Sequence, residues 1–140
     1  MKYSVVVFFC LLFFSWTHTY SQSKIQFFNG TLEKAMAQAK EENKPLFIEF
    51  SAVWCGPCRQ MERETFTDPV VASYFNENFI NVKLDVDHEG REFAIEQGVQ
   101  AIPHFIFMNS EGKKVMEKGG FFAPHLFIKV GKKANKKARK

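Results

Sequence analysis

Two cysteines, Cys55 and Cys58, are separated by Gly56 and Pro57 and preceded by Trp54. Thiols three residues apart lie on one face of a helix, close enough to form a disulfide that opens and closes without unfolding the chain. The residues that follow are good helix formers, and Pro57 fits in a first helical turn, where no backbone N–H is needed. The pattern predicts a redox-active dithiol at the start of a helix.

This placement predicts different roles for the two sulfurs. Unpaired backbone N–H groups and the helix dipole favour an anion at a helix N-terminus, so we expect a lowered pKa for the Cys55 thiol. Cys55 is therefore the candidate nucleophile. Cys58, one turn inside the helix, is the candidate resolving thiol.

Other uses of a Cys-x-x-Cys pair fit the sequence less well. A zinc site needs two further ligands, and the histidines of this chain have no ligand-like spacing. A haem attachment site needs a histidine where Arg59 stands. A purely structural disulfide would close a loop too short to contribute much stability. We expect no metal and no other cofactor.

The N-terminal residues have the pattern of an export signal. The apolar run over residues 5–14 is about half the roughly 20 residues that a membrane-spanning helix needs. Small residues at the end of Thr19-Tyr20-Ser21 fit a cleavage site, so the sequence predicts a signal peptide over residues 1–21 and a periplasmic or secreted protein. Cys10 would leave with that peptide.

Charge is distributed unevenly along the 140 residues. Residues 22–128 carry 11 Lys and Arg against 15 Asp and Glu, whereas residues 129–140 carry 7 Lys and Arg and no acid. We therefore predict a folded domain over residues 22–128 and a basic C-terminal tail over residues 129–140. The tail is either a solvated, partly frayed helix end or a segment attracted to anionic lipid or another polyanion.

The elements that must position the cysteines alternate between strands and helices. Apolar runs predict strands at residues 25–28, 46–52, 80–86, 105–108 and 113–118. Helical spacing and capping residues predict helices after Thr31, Cys55 and Asp68, over residues 89–97 and from about Pro124. The predicted order is βαβαβαββα. Parallel β-α-β units and a final antiparallel hairpin together require an α/β fold with a mixed sheet and helices on both faces.

The Trp54–Cys58 motif and the segment Ala101-Ile102-Pro103 together resemble the thioredoxin superfamily. The similarity extends over nearly all of the chain after residue 21 and implies a thioredoxin-like fold. The stretch 44–71, which contains Glu62 and Thr65-Phe66-Thr67-Asp68-Pro69, resembles exported thioredoxin-like proteins and the C-terminal domain of the bacterial transmembrane thiol-disulfide interchange protein.

The resemblance also implies roles for three residues outside the motif. Glu49 occupies the position of the buried acid that accepts the proton of the resolving thiol, and a charged group in an apolar strand is costly unless it is paired or neutral. Lys83 matches the lysine beside that acid, although strand alternation alone also places it on a polar side. Pro103 matches the cis-proline that faces the disulfide.

The resemblance further implies a groove in which an extended substrate pairs beside Ile102 and Pro103. The implied substrate-binding residues are Trp54, Gly56, Pro57, Ile102, Pro103 and His104. His104 departs from the threonine common after the cis-proline. It is either a group that titrates near neutrality in the groove or an edge residue without a catalytic part.

Together these features predict an exported, monomeric thiol-disulfide oxidoreductase that reduces protein disulfides. Its electrons would come from a membrane or periplasmic thiol donor, and nucleic acid is not expected as a partner. Gly56-Pro57 resembles thioredoxins more than strong oxidases. A dithiol oxidase or disulfide isomerase is the alternative within enzymes, and a binding or chaperone module with a structural disulfide is the alternative of another class.

Overall fold

A mixed four-stranded sheet organises the chain. The computed structural model describes residues 24–140, so the predicted signal peptide lies outside the described residues. The strands are β1 (Leu46–Ser51), β2 (Ile80–Asp85), β3 (His104–Met108) and β4 (Lys114–Gly119), in the order β2-β1-β3-β4. β1 and β2 are parallel, whereas the pairs β1–β3 and β3–β4 are antiparallel. The predicted mixed sheet is confirmed.

Helices cover both faces of this sheet. They are α1 (Leu32–Glu41), α2 (Gly56–Gln60), α3 (Pro69–Asn78), α4 (Arg91–Glu96) and α5 (Pro124–Ala138), with a π-helical segment, Met61–Thr65, directly after α2. Thr31 and Asp68 cap α1 and α3 with their side-chain oxygens, as the sequence predicts. Within residues 24–140, no helix is long and apolar enough to cross a membrane.

The alternation of side chains in β1 divides the core into two layers. Leu46, Ile48 and Phe50 pack with α1 and α4 on one face of the sheet. Phe47 points to the other face, where a layer rich in phenylalanine joins the sheet to the π-helical segment, α3 and α5. Every residue of β1 is buried, as expected for a central strand.

The prediction of a first strand at residues 25–28 is wrong. The backbone N–H of Ile25 donates to the carbonyl of Phe66 (2.8 Å), whereas that of Phe28 donates to the carbonyl of Asn81 (2.7 Å). Because these two hydrogen bonds go to different elements, the segment does not form a ladder of hydrogen bonds with one strand and is not part of the sheet. Within residues 24–140 the structure therefore has four strands, and α1 is the first regular element of that range.

The basic C-terminal residues belong largely to α5. The boundary predicted at Ile128 falls inside this helix, which continues to Ala138. Gly131 and Ala134 are buried, and a Cβ atom at Gly131 would lie 2.6 Å from the ring of Phe75. Residues 129–138 are thus packed against the domain and do not form a separate tail.

Candidate active site

Cys55 and Cys58 form a disulfide at the start of α2, with their Cα atoms 5.3 Å apart. β1 ends at Ser51, and a short loop delivers Cys55 to the N-cap of the helix. The backbone N–H of Cys58 donates to the Cys55 sulfur at 3.2 Å, as a capping side chain does. This is the position predicted for each sulfur. Both cysteines are buried within the chain.

Trp54 is largely exposed beside the disulfide, with 64% of its surface accessible. Its indole N–H donates to the Asp87 carboxylate at 2.7 Å, which fixes the ring over the loop that follows β2. Asp87 was not among the residues predicted from the sequence. Its position next to Trp54 follows from the topology, because the loops after two adjacent parallel strands emerge at the same edge of a sheet, and Ser51 pairs with Asp85 at that edge.

A groove with a largely apolar lining lies between Trp54 and Ile102. It encloses about 290 Å³ and is lined by Trp54, Val86, Arg91, Ala94, Ile95, Val99, Gln100, Ala101 and Ile102. Of these residues, Val86 and Ile102 also pack against the cluster that contains both cysteines. The Ile102–Pro103 bond is cis, as the resemblance implies. Ile95 and Val99 were not among the predicted binding residues, although Ile95 stands out as an apolar residue on an exposed turn of α4. Gly56 and Pro57 are exposed at the helix start.

His104 begins β3 and pairs across the sheet with Phe50 on β1 and Gly119 on β4. Its Nε2 lies 3.7 Å from the Glu117 carboxylate, so its nearest charged neighbour is on β4. Among the described residues, those that line the groove beside Trp54 do not include His104. The structure therefore brings Trp54 and Ile102 together and leaves His104 outside their cavity.

Glu49 is fully buried, with no accessible surface. Like Phe47, it points to the sheet face covered by the π-helical segment, α3 and α5. Within residues 24–140, neither of its carboxylate oxygens has a hydrogen-bond partner. Burial raises the pKa of Glu49 from its ordinary value of 4.5 to about 7, against an opposing effect of the Lys83 charge.

Lys83 is the register partner of Glu49 on β2, so the predicted neighbourhood of acid and lysine exists. Its ammonium group, however, forms an ion pair with Glu62 of the π-helical segment. Glu62 entered the sequence analysis only as part of a resemblance and received no role. Its spacing offered a signal, because Glu62 follows Cys58 by four residues and so lies on the same helix face.

The Glu62–Lys83 pair lines a cavity of about 250 Å³, to which Ser51, Arg59 and Asp85 also contribute. The cavity lies on the same side of β1 and β2 as Glu49. No group of three or more His, Cys, Asp or Glu side chains that could hold a metal ion occurs in the part of the chain that the structure describes. The Cys55–Cys58 disulfide and the buried carboxyl of Glu49 give the site groups for thiol exchange and proton transfer.

Comparison with known proteins identifies the family. The sequence model of the thioredoxin-like family matches residues 27–110, which include both cysteines, Glu49, Lys83 and Pro103. This chain belongs to the thioredoxin-like family. The resemblance inferred from the Trp54–Cys58 motif and from Ile102-Pro103 is thereby confirmed.

Individual relatives of this thioredoxin-like chain come from plants and bacteria. A thioredoxin H-type of Oryza sativa subsp. indica is 40% identical over 85 residues, covering 58% of this chain and 64% of the relative. The thiol:disulfide interchange protein DsbD of Vibrio vulnificus is 32% identical over 87 residues, covering 60% of this chain and 14% of the relative. The chain thus spans less than two thirds of either relative.

A solved structure supports the same family assignment. The solution structure of a putative disulphide-isomerase from Bacteroides thetaiotaomicron superposes with a TM-score of 0.68 and 37% sequence identity. The match covers 77% of this chain and 91% of the other. The thioredoxin-like fold predicted from sequence is therefore confirmed over most of the described residues.

Proposed function

We propose that this thioredoxin-like protein is an exported thiol-disulfide oxidoreductase that reduces protein disulfides through Cys55 and Cys58. The observation that carries the proposal is the disulfide at the N-cap of α2 together with an unpaired buried acid, Glu49, on the sheet face covered by the π-helical segment that continues this helix. The names of the relatives, thioredoxins and a thiol:disulfide interchange protein, support the same chemistry.

In the first step, the reduced enzyme attacks its substrate. The Cys55 thiolate, favoured by the backbone N–H groups at the start of α2, attacks one sulfur of a substrate disulfide. A new bond forms between Cys55 and that sulfur, and the other substrate sulfur leaves as a thiolate. The exposed Trp54 and the groove that ends at Ile102 offer an apolar surface for the polypeptide around the disulfide.

In the second step, the mixed disulfide is resolved within the enzyme. Glu49 accepts the proton of the Cys58 thiol, and the resulting thiolate attacks the Cys55 sulfur. The second substrate thiolate leaves, and the enzyme retains the Cys55–Cys58 disulfide. Two electrons pass from the enzyme to the substrate, and a dithiol donor in the same compartment must restore them.

The direction of electron transfer is tested by the reduction potential of the Cys55/Cys58 couple. Gly56-Pro57 resembles thioredoxins, so equilibration with glutathione should give a potential below about −200 mV. A potential near −120 mV would support a dithiol oxidase instead.

Turnover distinguishes an enzyme from a binding module with a structural disulfide. Reduction of a protein disulfide should be abolished in Cys55→Ser and should fail to reach completion in Cys58→Ser. Ser73→Ala is the control, because Ser73 is exposed on α3 and lies outside the motif, and it should reduce the substrate at the wild-type rate. Activity of both cysteine variants equal to that of Ser73→Ala would refute the enzymatic proposal.

Export is a separate part of the proposal, supported by the apolar run at residues 5–14 and the small residues near Ser21. Mass spectrometry of protein recovered outside the cytoplasm should show an N-terminus near Gln22. Recovery of an exported chain that still begins at Met1 would contradict cleavage.

A further inference from the structure

One face of α5 carries a continuous band of lysines. Successive residues of an α-helix are rotated by about 100°, so five lysines of this helix fall within an arc of about 140°. They are Lys129, Lys132, Lys133, Lys136 and Lys137, and all five are exposed. We call this band the lysine face. Its width shows that the charges of residues 129–137 are gathered on one side of the helix.

Packing fixes the direction in which the lysine face points. The opposite side of α5 is buried through Phe127, Gly131 and Ala134, and the Phe127 ring stacks on Phe75 of α3 with centroids 4.8 Å apart. At one edge of the lysine face, the Lys132 ammonium lies 5.9 Å from the Tyr74 ring centroid. The helix cannot rotate without exposing phenylalanine, so the lysines face outward together.

The charge of the lysine face is not neutralised by the fold. The sequence contains no Asp or Glu after Glu117. Among residues 24–140, none of the five lysines takes part in an ion pair. Residues 22–128 carry a net negative charge, so the positive charge that would attract anions comes from α5 and the residues after it and not from the rest of the domain. The surface complementary to it is a polyanion.

We propose that the lysine face docks on an anionic lipid surface. Clusters of four to eight Lys or Arg on an amphipathic helix favour such surfaces, because each charge near the headgroups adds to the attraction. Single-stranded nucleic acid fits less well, because it is held in grooves in which aromatic side chains stack on bases. The lysine face is the convex surface of a helix and not a groove, and none of its five residues is aromatic.

The topology places the disulfide at the other end of the molecule from the C-terminus of α5. The chain enters α5 near the active site, where the N–H of Gly120 donates to the carbonyl of Pro103 at 2.8 Å. Near its other end, Asn135 donates to the Asn78 side chain at 3.0 Å, just before β2 begins. β2 starts beside Leu46, at the end of β1 that is remote from Cys55. Docking would therefore leave the disulfide accessible from the aqueous phase.

The test uses the protein recovered after export, with its expected N-terminus near Gln22, because the apolar run at residues 5–14 would itself bind both kinds of vesicle. The vesicles are phosphatidylcholine alone and phosphatidylcholine with phosphatidylglycerol. In co-sedimentation, the wild type should prefer the anionic vesicles. Salt at 1 M should release it, because the Debye length, over which charges attract, falls to about 3 Å. Replacing Lys129, Lys133 and Lys136 by Gln should weaken partitioning onto anionic vesicles roughly a hundredfold, at about fivefold per charge. Replacing the same lysines by Arg should preserve it.

A matched control removes equal charge elsewhere. Lys34, Lys113 and Lys118 are exposed and form no ion pair within the described residues, so their replacement by Gln should change partitioning far less. Circular dichroism establishes that all variants are folded. Equal binding of the wild type to both vesicle types would overturn the proposal, as would undiminished binding of the triple Gln variant at residues 129, 133 and 136. Binding of a single-stranded oligonucleotide at lower protein concentration than anionic vesicles would also overturn it, in favour of nucleic acid.

A second measurement tests the orientation and rests on the proposed function. Vesicle-bound wild type should reduce a soluble protein disulfide at the rate of the free protein. A large loss of turnover on binding would refute the orientation. Absence of turnover without vesicles would instead count against the proposed function and would leave the partitioning result unaffected.

Discussion

Replacing Glu49 by Gln should change the pH dependence of stability more than any other single carboxylate substitution in the described residues. Burial raises the pKa of Glu49 from 4.5 to about 7, so between these values the folded protein retains a proton that the unfolded chain has released. As pH rises, the free energy of unfolding must fall wherever the folded state binds more protons than the unfolded state. The contribution of protonated Glu49 is therefore complete below about pH 4.5 and is lost by about pH 7.

The magnitude follows from the size of the shift. Each pKa unit corresponds to about 1.4 kcal/mol, so a shift from 4.5 to about 7 corresponds to about 3 kcal/mol. Glu49→Gln removes this titration and retains the side-chain shape. The free energy of unfolding of the variant, relative to wild type, should therefore rise by about 3 kcal/mol between pH 4 and pH 8. A small domain has only about 5–15 kcal/mol in total, so the change is readily measured.

Other shifted carboxyls cancel in this comparison. The pKa of Glu33 is lowered by the Thr31 side chain, that of Asp85 by the Asp87 backbone N–H, and that of Glu117 by Lys114. These groups stabilise the folded state less as pH falls, in the opposite sense to Glu49, but they are the same in both proteins.

The assay is urea denaturation followed by circular dichroism at pH 4, 6 and 8, with the Cys55–Cys58 disulfide intact so that no motif thiol titrates. Glu92→Gln is the matched control, because it makes the same substitution at an exposed carboxylate on α4. A difference between wild type and Glu49→Gln that stays constant from pH 4 to pH 8 would refute the reasoning.

Three further predictions concern the thiols, the ion pair and the packing of α5. Cys58→Ser should accumulate mixed disulfides through Cys55 in non-reducing electrophoresis, and equal trapping by Cys55→Ser would contradict the assignment of nucleophile. Glu62→Gln should release Lys83 towards Glu49 and move the pH midpoint of mixed-disulfide resolution to lower pH in stopped-flow measurements; an upward shift would exclude this role. Gly131→Val should lower the free energy of unfolding by about 2 kcal/mol through overpacking against Phe75, whereas Lys133→Val, exposed on the same helix, should have a smaller effect.

The sequence predicted the elements next to the disulfide well because strong local signals define them. Continuous apolar residues marked β1, and Pro57 marked a helix start at Cys55. The strand predicted at residues 25–28 is absent because an apolar run does not show which segment its backbone will pair with. Here the backbone hydrogen bonds of Ile25 and Phe28 go to two different elements. The π-helical segment Met61–Thr65 has no distinct sequence pattern, so the sequence predicted an ordinary α-helix there.

The role of the C-terminal residues was missed for a different reason. The buried side of α5 uses Gly131 and Ala134, whose small side chains fit against the phenylalanine layer. Small residues contribute little to a hydrophobic pattern, so the periodicity was hidden and the lysines dominated the prediction. The Glu62–Lys83 pair was missed because its residues are 21 positions apart and meet only through the fold.

The environment of Glu49 links stability to the proposed chemistry. A base acts best when its pKa lies near the working pH, because it is then partly ionised and still basic enough to take a proton from a thiol. An exposed glutamate would be too weak a base, whereas Glu49, buried and without a hydrogen-bond partner among the described residues, has a pKa of about 7. Glu62 contributes by holding Lys83, whose charge would otherwise lower that pKa further. The same burial that gives Glu49 the pKa required by the proposed mechanism destabilises the folded protein above pH 7. Glu49→Gln should therefore be more stable at pH 8 and, if the proposed mechanism holds, slower in resolving the mixed disulfide. A variant that gained stability and resolved the mixed disulfide at the wild-type rate would show that Glu49 is buried for a reason other than proton transfer.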